Sequence, residues 1–214
     1  MRVGVVDYGV GNLGSVMRAL EELRVAPVLI KKSIDMHIVD RIILPGVGNF
    51  ADCAKLLDDG GWMQALRQGV LVESKPLLGI CLGMQLLATA SMEGIPDNAS
   101  NGVAGLNLIP GRVESLRSLG CSLRIPHVGW NEVTSHMTSS GLFNGIPDST
   151  DFYFVHSYAF VPDDPQHVIA TTLYDVTVTA AVRSGHIWGT QFHPEKSSRA
   201  GFRLLRNFIE SPIC

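Results

Sequence analysis

Cys81 stands in the run PLLGICLGMQLL, bracketed by Gly79 and Gly83, where an apolar strand ending at Ile80 gives way to a helical pattern opening at Leu82-Gly83. G-x-C-x-G at a strand-to-helix turn is the layout of a nucleophile elbow with cysteine in place of serine. The flanking glycines predict a sharp turn that lifts the side chain out of the sheet. The helix N-terminus behind it offers backbone N–H groups to a thiolate or an oxyanion. A lone cysteine is more often an inert buried side chain, but strand, turn and helix together favour the nucleophile. Such a thiol needs a base and a group to orient that base. In WGTQFHPEKSS, His193 and Glu195 lie two residues apart with Pro194 between them. In extended chain such a pair points to one side, so the carboxylate could hold one ring nitrogen while the other faces Cys81. His127, His156 and His186 compete for the role, but only His193 has a carboxylate at this spacing. In RIILPGVGNF a strand ends in Pro45-Gly46-Val47-Gly48. That loop falls at the carboxyl edge where open α/β sheets place their sites, and it could turn an N–H toward an oxyanion.

These groups need a scaffold, and the first half of the chain alternates apolar runs with helical stripes. RVGVVD, APVLI, RIILP and KPLLGIC read as strands. Asn12 to Leu23 carries Leu13, Val16, Met17, Leu20 and Leu23 along one helical face, Phe50 to Val70 is helical around a break at Gly60-Gly61, and LGMQLLATA continues as a helix. Continuous apolar strands alternating with helices predict a parallel sheet covered on both faces. The second half is strand-rich: GRVESL, LRIPHVGWNEV, STDFYFVHSYAFV, HVIATTLY, VTVTAAVR and HIWGTQF. It closes on SRAGFRLLRNFIES, with Phe202, Leu205, Phe208 and Ile209 on one helical face. The expected fold is an open, mostly parallel, twisted α/β sheet with helices on both faces and an antiparallel extension. One domain over residues 1–214 is expected, since no linker or repeat interrupts the chain.

VGVVDYGVGNLGSV holds Gly9, Gly11 and Gly14 in the G-x-G-x-x-G spacing of a dinucleotide fingerprint. That reading needs an acidic residue after the second strand, where Lys31-Lys32-Ser33 stand and Asp35 comes late. The glycines are better read as loop geometry, with Asn12 capping the following helix. A net charge of −3, with scattered Lys and Arg, gives no support to a nucleic-acid or membrane-surface partner. Cys53, Cys81, Cys121 and Cys214 are widely spaced, which fits free thiols in a reducing compartment rather than a disulfide or zinc framework. With no signal-peptide pattern at the N-terminus, a cytoplasmic location is expected.

The elbow, the H-P-E pair and the P-G-V-G loop together resemble the class I (triad) glutamine amidotransferases. DYGVGNL, LPGVGNF, GICLGMQLL, PHVGWNEV, YFVHSY and QFHPEKSS narrow the resemblance to the glutaminase subunits of imidazole glycerol phosphate synthases, enzymes of histidine biosynthesis. The match runs in order over nearly the whole chain; Asn49 and Val128 stand where members vary. The resemblance implies that Cys81 attacks the glutamine side-chain amide to form a glutamyl thioester, that His193 moves protons, and that Glu195 holds His193. It also implies an oxyanion hole from the N–H groups of Val47 and Leu82, and a glutamine pocket from Gly48, Gln85, His156, Ser157 and Tyr158. No cofactor or metal is called for. A (β/α)₈ cyclase subunit is the implied partner, taking the ammonia and activating the glutaminase, with Asn12, Trp130, Asn131 and Lys196 at or near the shared face. Amidotransferases of other pathways share the elbow and the H-x-E pair, but PHVGWN, YFVHSY and HPEKS fit them less well.

Overall fold

The computed structural model describes residues 1–95, 102–136 and 141–211; Cys214 lies outside them. The first half runs β1 (Val3–Val6), α1 (Leu13–Glu22), β2 (Pro27–Ile30), β3 (Arg41–Gly46), α2 (Phe50–Asp59), α3 (Trp62–Arg67), β4 (Leu77–Cys81) and α4 (Leu82–Gln85). Then follow β5 (Ala90–Ser91), β6 (Val103–Ala104), β7 (Gly111–Ser115), β8 (His127–Ser135), β9 (Thr150–His156), β10 (Tyr158–Pro162), β11 (Val168–Tyr174), β12 (Val176–Ser184), β13 (Ile187–Thr190) and α5 (Ser198–Glu210). Nine strands form the main sheet in the order β2-β1-β3-β4-β13-β12-β11-β8-β9. The ladders from β2 to β13 are parallel and those from β13 to β9 antiparallel. The α/β sheet with an antiparallel extension is therefore present.

Alternation along the strands explains why both faces are covered. Val3, Val5, Ile43, Leu78 and Ile80 pack with Val16 and Leu20 of α1 and Leu204, Leu205 and Phe208 of α5. Val6, Ile42, Leu44 and Leu77 pack with Phe50 and Leu57 of α2 and Leu66 of α3 on the other face. Each such side chain, fully buried, contributes roughly 1.5–3 kcal/mol. The break expected at Gly60-Gly61 falls between α2 and α3, where Gly61 takes φ +68°. Asn49 caps α2, its Oδ1 accepting from the N–H groups of Ala51 at 2.9 Å and Asp52 at 3.2 Å.

Three expectations need correction. LGMQLLATA is not one helix: α4 stops at Gln85. The carbonyls of Leu86, Leu87 and Ala88 accept from the N–H groups of Leu106, Leu108 and Asn107 instead of from the next helical turn, and the chain moves on into β5. STDFYFVHSYAFV is not one strand either. It breaks at Ser157, β9 closing the edge of the main sheet and β10 pairing with β7 in a second, four-stranded sheet, order β10-β7-β5-β6. Asn12 precedes α1 but makes no side-chain cap; its amide is engaged by Glu195. Among the described residues, no helix is long and apolar enough to cross a membrane.

Candidate active site

Cys81 ends β4 at the centre of the main sheet with φ 56° and ψ −113°. That conformation is sparsely allowed for a residue with a side chain and costs about 1–3 kcal/mol. The strain sits on the cysteine itself and not on its bracketing glycines, neither of which has a positive φ. Gly79 and Gly83 are required for another reason. A Cβ on Gly79 would lie 2.5 Å from the Gly83 carbonyl oxygen, and one on Gly83 would overlap the Leu44 carbonyl. The glycines let α4 press against β3 and β4, which fixes the turn that presents the thiol. Cys81 Sγ lies 3.8 Å from the Val155 carbonyl oxygen, and Gln191 Nε2 donates to Sγ at 3.8 Å.

His193 Nδ1 donates to Glu195 Oε1 at 2.8 Å, with both side chains almost wholly buried. The contact arises differently from the extended pair expected. β13 ends at Thr190, and His193 caps a short 3-10 turn, Pro194–Lys196, that folds Glu195 back beneath the ring. The turn is anchored through Ser197, whose hydroxyl donates to the His193 carbonyl at 2.7 Å and accepts from the Tyr153 N–H at 3.0 Å. Asn12 Nδ2 donates to the same Glu195 oxygen at 3.3 Å. Burial pushes the His193 imidazole down, but the Cys81 sulfur and the Glu195 carboxylate together outweigh it and hold the ring up at about 9. The ring thus keeps a proton beside the sulfur at neutral pH. Its Nε2 is buried and makes no hydrogen bond of ordinary geometry, which leaves it free to exchange a proton with a group at Cys81.

A cavity of about 370 Å³ opens over the thiol, in the size range of small-molecule sites. Val47, Gly48 and Leu82 line it beside Cys81, and Gln85, His156, Ser157, Tyr158, His193 and Lys196 complete most of the wall. The residues expected to form the oxyanion hole and the glutamine pocket therefore meet in one place. Of the competing histidines, His186 is bonded to the Val70 carbonyl at 2.8 Å and is absent from the cavity wall, while His127 lies behind His156, their ring nitrogens 3.0 Å apart.

Two site residues were missed from sequence. Glu93 lines the cavity and accepts from the Phe50 N–H at 2.7 Å; burial pushes its carboxyl up, partly countered by that N–H and by Asn49. No motif marks it, because it stands in the irregular stretch after β5. Gln191 accepts from Gln85 Nε2 at 2.9 Å as well as donating to Cys81. A polar residue buried just after the apolar strand IWGT was the available signal. Around the triad, Trp130 is half-exposed and meets Tyr153 edge-to-face at 6.0 Å, and Lys196 Nζ lies 5.6 Å from the same ring. Asn131 donates to the Leu173 carbonyl at 3.0 Å. In the glycine loop, Gly9 and Gly11 take φ +100° and +129°, a conformation glycine supplies without steric penalty.

The model of the glutamine amidotransferase class-I family matches residues 4–211. The chain belongs to that family. It is an enzyme of glutamine amide transfer, with the fold those enzymes share. The chain is 43% identical to the imidazole glycerol phosphate synthase subunit HisH of Moorella thermoacetica, covering 97% of this chain and 94% of that protein. It is 42% identical to the HisH subunit of Rhodospirillum rubrum, covering 98% of both. Among solved structures, one described as a glutamine amidotransferase superposes with a TM-score of 0.74 at 24% identity, covering 97% of each chain. The PurLQS structure from Thermotoga maritima superposes with a TM-score of 0.70 at 17% identity. At such identities these two speak for the amidotransferase fold alone.

Proposed function

We propose that this amidotransferase is the glutaminase subunit of an imidazole glycerol phosphate synthase in histidine biosynthesis. The observation that carries the reading is the Cys81 thiol beside a His193 imidazole anchored at 2.8 Å by Glu195, at the floor of an amino-acid-sized cavity. Full-length similarity to HisH subunits supports the pathway. Glutamine enters with its side-chain amide over Cys81, and the Glu93 carboxylate is available for its α-ammonium group. With the thiol proton held on His193, the sulfur attacks the amide carbon, and the oxyanion is received by the N–H groups of Val47 and Leu82. Leu82 opens α4, so its N–H has no partner within the helix. His193 gives its proton to the departing nitrogen, and ammonia leaves a glutamyl thioester on Cys81. His193 then takes a proton from water, which attacks the thioester and frees glutamate. Glu195 keeps Nδ1 protonated and Nε2 aimed at the reacting atoms throughout.

Ammonia released into neutral water becomes ammonium and loses its nucleophilicity, so a sealed path to an acceptor is chemically useful. In this reading a (β/α)₈ cyclase subunit docks over Asn12, Trp130, Asn131 and Lys196. It uses the ammonia to convert a phosphoribulosyl-formimino nucleotide to imidazole glycerol phosphate and an aminoimidazole carboxamide ribotide, in the cytoplasm. Residues 1–214 act as one amidotransferase domain. The test is Cys81→Ala or Cys81→Ser in the assembled enzyme. Glutamine-dependent synthesis disappears while synthesis from added ammonium salts persists; glutamine hydrolysis surviving the change overturns the assignment of Cys81.

A further inference from the structure

Behind the cavity wall, a chain of polar contacts runs from the half-exposed face of β8 to the thiol. Asn131 Nδ2 donates to the Leu173 carbonyl at 3.0 Å, which turns its Oδ1 to His127 Nε2 at 3.1 Å. His127 Nδ1 lies 3.0 Å from His156 Nε2, the two residues sitting opposite each other in the β8–β9 ladder. His156 Nδ1 lies 2.9 Å from the Tyr158 carbonyl. That carbonyl also accepts from Gln85 Nε2 at 2.9 Å. Gln85 in turn donates to Gln191, which donates to Cys81 Sγ.

The protons in this chain can be counted. Leu173 and Tyr158 present carbonyl oxygens, which only accept. Rotating the Asn131 amide would set its oxygen against the Leu173 oxygen, so Oδ1 faces His127 as an acceptor. The contacts His127–Asn131, His127–His156 and His156–Tyr158 therefore need one N–H each, whereas two neutral imidazoles bring one apiece. The contacts are all satisfied only when the pair carries one additional proton. Burial pushes both rings toward the neutral form, His156 down to about 3, where the charges of His127 and His193 also weigh against it. The additional proton therefore belongs on His127. That ring stacks on Phe154 at 5.0 Å and on Tyr174 at 3.9 Å, from the two strands that flank β8, and aromatic faces favour a cation. The titratable groups facing the pair are Tyr174, whose hydroxyl donates to the Arg124 carbonyl at 2.7 Å, and His193.

We propose that His127 is a positioning residue for the glutamine pocket: with His156 it seats one shared excess proton, and through it ties Asn131 on the strand face to the cavity wall. The proton enters from solvent as the pH falls. When it leaves, Nε2 turns a lone pair to Asn131 Oδ1 and that contact is lost, while the His127–His156 bond stays. The activity arm of the proposal rests on the glutaminase reading; the proton count does not.

The experiment follows the imidazole nitrogens of the ¹⁵N-labelled chain by NMR from pH 5 to 8.5. Glutamine kinetics are measured in parallel on the assembled enzyme for wild type, His127→Asn and His127→Leu. On the acid side, both nitrogens of His127 are protonated while His156 remains a neutral Nδ1–H tautomer. His127→Asn can donate to His156 but cannot hold the extra proton. It keeps KM within about threefold of wild type and loses the titrating step, whereas His127→Leu raises KM roughly tenfold, with the loss on KM rather than kcat. A His127 Nε2 that bears a lone pair across the whole range, or a His127→Leu enzyme with wild-type KM, overturns the proposal. A wild-type enzyme that hydrolyses no glutamine contradicts the glutaminase reading instead, and the ring spectra still decide the proton seat.

Discussion

Asn12 gathers two roles at a single side chain. It leaves α1 without a side-chain cap and donates instead to Glu195, the carboxylate that holds His193. Its loop is also the edge proposed to meet the cyclase, so its replacement acts on the triad and on docking together. Asn12→Ala is expected to lower partner-stimulated glutaminase turnover by about tenfold, as for loss of one hydrogen bond to a buried charged group. No saturable binding of NAD(H) or NADP(H) is expected in either form; titration of both with the dinucleotides, beside steady-state kinetics, checks this. Cys81, His193 and Glu195 were legible because a nucleophile and its base carry short local patterns. Glu93 and Gln191 were not, because they reach the site from an irregular stretch and a strand end that only folding brings together, and His127 was legible only as a rival base and not as a group behind His156.

At the scale of the elements, the elbow is held by close approach rather than by flexible glycines. Gly83→Ala would drive a methyl group into the Leu44 carbonyl, where backbone and not a movable side chain must give way. A loss of about 2 kcal/mol in stability, read by denaturant unfolding, is expected, along with loss of activity as the thiol moves. The parallel half of the sheet was readable from its apolar runs, and so was the amphipathic stripe of α1. The end of α4 and the break at Ser157 were not, since local pattern favoured continuation in both. Each is decided by distant backbone: the 106–108 segment claims the carbonyls after α4, and β7 claims β10. The break at Ser157 is what brings His156 and Tyr158 to the cavity from two different sheets.

At the scale of the whole molecule, two buried histidines set opposite pH limits on stability. His156 is lowered from 6.5 to about 3, so the unfolded chain binds more protons between those values and stability falls as the pH drops below about 6.5. His193 is raised from 6.5 to about 9, so its contribution is complete below 6.5 and is lost as the pH rises through about 9. Unfolding free energy measured from pH 5 to 9.5 should peak near pH 6.5, with His156→Gln flattening the acid side and His193→Gln the alkaline side. The same molecule is proposed to work only when its ammonia has a destination. The most direct test is glutamine turnover by the purified chain alone, with the (β/α)₈ cyclase subunit, and with the cyclase plus its nucleotide ligand. Turnover is expected to be low alone and to rise steeply only with both present. A rate indifferent to that pair would contradict the account.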